Sequence, residues 1–101
     1  MSNRTGSDRR RDALKQIEGF VCRDRMGVYS DCEDNFAVIA QLWSVYKGQT
    51  FTPADVAAMM VCVKLSRIKS SPDHLDSWLD LGGYAVCGAG IVMVGRGDAK
   101  A

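Results

Sequence analysis

Histidine occurs once in this chain, proline twice, and none of the four cysteines forms a CxxC pair. With His74 alone beside Cys22, Cys32, Cys62 and Cys87, no zinc-finger spacing exists and a structural zinc site is not expected. An excess of one charge is also missing. Thirteen Lys and Arg stand against 12 Asp and Glu, a net charge of +1, which argues against an acidic solvating tail or a surface directed at nucleic acid. The N-terminal MSNRTGSDRRRDALKQ lacks a hydrophobic signal core. The longest nearly apolar run, LGGYAVCGAGIVMVG, is rich in glycine and short of a membrane span. No alternating strand pattern, internal repeat or low-complexity tract is visible. The expectation is a cytosolic protein with reduced thiols, partnered by neither membrane nor nucleic acid.

What is present is a small apolar chain. Its 101 residues are 47% hydrophobic, one domain near the lower size limit for a self-sufficient core, so a dimer or higher oligomer is expected. Residues 1–7 are expected to be disordered, 8–94 to form a single helical domain and 95–101 to fray. A first helix is predicted from Asp8 to Cys22, capped by Ser7 or Asp8, with Leu14, Ile17 and Val21 at helical spacing and Phe20 beside them. A second should run from Glu33 to Tyr46 on the period of Phe36, Ile39, Ala40 and Trp43, with Gly48 as its stop. FTPADV gives the clearest start, with Thr52 as cap, Pro53 at the first position and Asp55 in the first turn. That third helix is apolar almost all round from Val56 to Val63 and is predicted to be central. SSPDHL repeats the start signal, with Ser71 as cap and Pro72 following, for a fourth helix. The fold predicted is an all-α, compact bundle of about four helices. Gly82, Gly83, Gly88 and Gly90 each weaken a helix by about 1 kcal/mol relative to alanine. They are explained if they permit close contact, within the bundle or between subunits.

Candidate chemistry sits on the last two helices. Asp76, Asp80 and Tyr84 follow i, i+4, i+8 and share a face, while Lys64 and Arg67 lie three apart beside an apolar surface. One reading pairs Lys64 and Arg67 with Asp80 and Asp76 to fix helix packing. Another has the cations bind phosphate or carboxylate, Arg67 through its planar fork and Lys64 as a point charge. A magnesium site would use Asp76 and Asp80, with Glu33 and Asp34 as further ligands if helix two begins opposite. A Cys-His pair of His74 with Cys62 or Cys87 is disfavoured because both cysteines lie in apolar runs. Trp43 and Trp78 read as core or interface anchors, and Arg9 to Arg11 as a solvated helix face.

The segments DRMGVYSDCEDNFAVIAQLWSVYKG, TPADVAAMMVCVKLSRI and DSWLDLGGYAVCG together resemble a family of small bacteriophage proteins that carry only a domain-of-unknown-function label. The likeness covers roughly Arg23 to Gly90, with Ser30 where the family form has a glycine after the tyrosine. It implies phage origin and a helical fold. More loosely, the chain is similar to all-α nucleoside triphosphate pyrophosphatases of the MazG and dUTPase type, which hold magnesium on ExxE and ExxD motifs. Here Asp76 and Asp80 are four apart and no ExxE occurs. The family likeness implies no activity; the candidate residues lead to the expectation of a protein of the infected host's cytoplasm that binds a nucleotide or nucleotide-derived signalling molecule without turnover, and the phage context adds that it would sequester that molecule from host defence. Lys64, Arg67 and Arg25 would meet phosphate, Tyr29 a base or ribose, and Asn35, Asp76 and Asp80 would orient the cations or accept sugar hydroxyls. No cofactor is expected for binding alone. Magnesium enters only with the pyrophosphatase alternative, and a third reading is a protein-binding inhibitor of a host factor.

Overall fold

The computed structural model describes residues 3–22 and 32–96, and these form four helices: α1 (Gly6–Val21), α2 (Cys32–Lys47), α3 (Pro53–Ser70) and α4 (Leu75–Gly95). No strand occurs among the described residues, as the sequence pattern predicted.

Two helices begin with the same four-residue device. At α3 the Thr52 hydroxyl accepts from the Asp55 N–H at 3.1 Å, and the Asp55 carboxylate accepts from the Thr52 N–H at 2.8 Å. This reciprocal cap satisfies two otherwise orphaned donors and places a negative charge at the positive end of the helix. Thr5 and Asp8 repeat it at α1, both bonds being 3.0 Å. The cap of α1 is therefore Thr5, not Ser7 or Asp8. Asp8 contributes from the third helical position, a role that its place ahead of the apolar stripe disguised.

The start of α4 also differs from its prediction. Ser71 closes α3 by donating its N–H to Arg67 O at 2.8 Å, Pro72 lies in the turn, and His74 is the residue ahead of α4. Serine followed by proline suits a turn as well as a helix start, and α3 runs far enough to claim the serine. Trp78 pins this turn from above, its indole N–H donating to Pro72 O at 2.7 Å while half the residue stays exposed. It is a clasp on the α3–α4 connection and not a core anchor. Trp43 does line the core, meeting Phe51 edge-on at 5.9 Å.

The central helix is α4, which packs against all three others, whereas α3 packs chiefly against α4 and α2. The unbroken apolar run from Val56 to Val63 suggested α3, yet α4 is the more apolar helix over its whole length. Side-chain size decides the matter. A methyl placed at Gly82 would lie 2.6 Å from Ile17 Cδ1, at Gly83 3.3 Å from Val21 Cγ1, at Gly88 3.3 Å from Ala57 Cβ, and at Gly90 2.6 Å from Glu33 Oε2. The four glycines thus seat α1, α3 and α2 on one helix, which answers within the chain why α4 tolerates them. By length and composition α4 is also long enough and apolar enough to cross a membrane, which its glycine-rich run alone did not suggest.

The buried core is small: Phe36, Ala40, Val56, Ala57 and Cys87 cluster together, with Val56 fully enclosed. Cys32 at the start of α2 is disulfide-bonded to Cys87 on α4, with their Cα atoms 6.0 Å apart. This corrects the expectation of reduced thiols. Cys22 and Cys62 are free and exposed. The α2–α3 corner turns at Gly48, whose φ of 68° is the left-handed conformation that glycine adopts without strain. Ser44 braces the corner, its hydroxyl donating to Ala40 O at 2.7 Å and accepting from the Phe51 N–H at 2.8 Å.

Candidate functional site

The antiparallel course of α3 and α4 follows from two contacts, Ala57 against Gly88 at one end and Lys64 against Asp80 toward the other. Lys64 Nζ lies 3.1 Å from Asp80 Oδ2, the one ion pair among the described residues that joins two helices. The lysine side chain is only 17% exposed and the aspartate 43%. A long cation beside apolar surface buries its methylene stem and keeps its charged head toward a polar partner, here the more exposed Asp80. A pair this open to water adds at most about 1 kcal/mol of stability. Its clearer effect is to fix where the ammonium sits.

Arg67, one turn further along α3, is exposed and makes no ion pair among the described residues. Asp76, one turn before Asp80, is exposed likewise. The expected second pair between these two is therefore not formed, and the α3–α4 edge carries one closed pair with an uncommitted cation and an uncommitted carboxylate nearby. Tyr84 continues the Asp76–Asp80 face inward, partly buried, with its ring stacked on Phe36 at 6.1 Å.

The structure does not gather every candidate residue at this edge. Asn35 is exposed on α2, and no contact joins it to Lys64 or Asp80. Arg25 and Tyr29 lie outside the described residues. Glu33 reaches α4 at Gly90, ten positions beyond Asp80 and therefore about 15 Å further along the helix axis. It cannot share a metal with Asp76 and Asp80 in this arrangement. Among the described residues no three His, Cys, Asp or Glu side chains group closely enough to hold a metal ion. His74 is turned to Ser77, with Nδ1 and Oγ 3.0 Å apart, and Cys87 is committed to Cys32, so neither supplies a Cys-His pair.

The sequence pattern missed the Cys32–Cys87 link and the Glu33–Gly90 approach. Both depend on how α2 crosses α4. A glycine on α4 opposite an acidic helix start was the only trace of either.

Comparison with known proteins follows the same stretch of chain. Residues 12–92 match a family model described as a domain of unknown function (DUF6378). The Gene 55 protein of Mycobacterium phage L5 is 40% identical over 73 residues, 71% of this chain and 47% of that protein. The Gene 55 protein of Mycobacterium phage D29 is 34% identical over 74 residues, 73% of this chain and 49% of that protein. The chain thus spans about half the length of these curated relatives. No solved structure matches it.

Proposed function

The chain belongs to the DUF6378 family, and from that premise and its α3–α4 edge we propose that this bacteriophage protein binds a nucleotide or nucleotide-derived small molecule without turning it over. The observation that carries the reading is Lys64, nearly enclosed and steered by Asp80, with the uncommitted Arg67 one turn away on the same helix. A steered ammonium beside a free guanidinium fork is a natural pair of donors for phosphate oxygens.

In this reading Arg67 and Lys64 hold phosphate, Asp80 positions Lys64, and Asp76 accepts sugar hydroxyls, whereas Asn35, which the structure does not bring to this edge, has no part. Arg25 and Tyr29 would add a phosphate contact and a base contact from the segment between α1 and α2. Binding without turnover in the cytoplasm of the infected host would sequester a signalling molecule from host defence.

The test is thermal unfolding of the purified chain with linear nucleotides, cyclic dinucleotides and ADP-ribose-type molecules, each with and without Mg²⁺, followed by chromatography of the solutions. A ligand at a hundred times its dissociation constant stabilises the fold by about 2.7 kcal/mol. The expected result is a shift with one class of ligand, recovered intact, and loss of the shift in Arg67→Ala. A magnesium-dependent product would replace this reading with the pyrophosphatase. No shift across the panel would remove the small-molecule reading altogether.

A further inference from the structure

Helix α2 is held at its two ends by different means. Its C-terminal end is braced without any covalent link, by the Phe51 N–H on the Ser44 hydroxyl and by the Trp43 ring on Phe51. At its N-terminal end the hold is the Cys32–Cys87 bond to α4. Little else secures that first turn. Asp34 and Asn35 are exposed, and Glu33, which makes no ion pair among the described residues, lies against α4 at Gly90. One turn on, Phe36 stacks on Tyr84, three positions before Cys87, so the bond and the ring pair are neighbouring rungs between the same two helices.

We infer that the Cys32–Cys87 bond is a reversible thiol–disulfide switch, which clamps the start of α2 to α4 when oxidised and releases it when reduced, with the Ser44 corner as the fixed end. Both oxidation states have a place for both sulfurs, and this separates a switch from a permanent staple. When reduced, Cys32 Sγ has Glu33 Oε1 3.6 Å away as an acceptor for its S–H, and that carboxylate has no ion pair to give up. Cys87 sits among Phe36, Ala40, Val56 and Ala57, surroundings in which a neutral thiol behaves as a small apolar side chain. Neither sulfur strands a buried polar group.

Access sets the order of exchange. Cys87 is 4% exposed whereas Cys32 is partly exposed, so a small thiol such as glutathione attacks, as its thiolate, at Cys32 Sγ. The Cys32–Cys87 bond breaks, a mixed disulfide forms on Cys32, and the Cys87 sulfur leaves and takes up a proton. A second small thiol then displaces Cys32. In sum two small thiols become one small disulfide, and the protein gains two electrons and two protons as two thiols. Reoxidation by the small disulfide reverses each step. The released rung borders Tyr84, one turn from Asp80, yet the inference needs no ligand at the α3–α4 edge.

For the test, the full chain carrying Cys22→Ser and Cys62→Ser, so that no third thiol takes part, is equilibrated with glutathione and its disulfide at graded ratios, from the oxidised and from the reduced side. Alkylation and intact mass give the fraction of bonded chain, and hydrogen exchange read by mass spectrometry gives the local opening of each helix. The expected result is one transition at the same ratio from both sides, with amide exchange over residues 32–39 faster by more than about tenfold in the reduced chain and α3 and α4 changed far less. Cys87→Ala should exchange like the reduced chain in every buffer; should it fail to fold, the reduced chain itself supplies the comparison. A bond that never forms, a bond that yields only when the chain unfolds, exchange over α2 that is the same in both states, or loosening of all four helices alike would each overturn the inference.

Discussion

Two seams run along α4, and both are built on glycine. Toward α3, Gly88 receives the Cβ of Ala57, an atom with no torsion of its own, and the enclosed Val56 is the next residue along that helix. Toward α1, Gly82 and Gly83 receive the outer carbons of Ile17 and Val21, and no residue of α1 is buried. At the first seam backbone rests almost on backbone. At the second a side chain lies across a groove and its tip can swing aside. The same residue type therefore fixes one neighbour and merely accommodates another, and what decides is the stiffness of the atom opposite.

The α2 contact sits at the rigid extreme, because it is covalent. Reducing the Cys32–Cys87 bond, which closes a loop of sequence separation 55, should cost about 4 kcal/mol by the loop-entropy relation. Chemical denaturation of the oxidised and reduced chains would measure this, and equal midpoints would place α2 with the soft seam. Next in size, Gly88→Leu should cost about 3 kcal/mol, since neither Ala57 nor its backbone can yield without parting the helices. The smallest effect is expected from Gly82→Ala, where a gain of about 1 kcal/mol in helix propensity offsets the displacement of Ile17 Cδ1. A net change below about 1 kcal/mol in thermal unfolding would support the distinction. A loss as large as that of Gly88→Leu would abolish it.

Much of the fold was legible in the chain. Thr52, Pro53 and Asp55 are a local device, complete within four residues, and they cap α3 as the sequence predicts. The pairing of Lys64 with Asp80 was readable as one of two alternatives because a short connection makes α3 and α4 antiparallel neighbours. The Arg67–Asp76 pair failed where the first succeeded because both residues are exposed, and an exposed pair gains too little to hold two side chains together. The unbroken apolar run from Val56 to Val63 misplaced the centre of the bundle: α4 is the more apolar helix over its whole length, and its glycines let the other helices approach its backbone closely. The disulfide was illegible for a further reason: Cys32 and Cys87 meet only through the crossing of α2 over α4, and no periodicity within either helix records that crossing.

The Ser44 corner bears on how α2 and α3 are oriented to each other. Its hydroxyl ties the body of α2 to the chain entering α3, and Trp43 and Phe51 close over the same turn. The direction in which α2 gives way to α3 is thereby settled within eight residues of sequence. A local brace of this kind moves part of the entropic cost of orienting α3 into the corner itself, leaving less to be lost when the two helices close on α4. A corner held by one serine thus acts on the packing of two helices without belonging to the buried face of either.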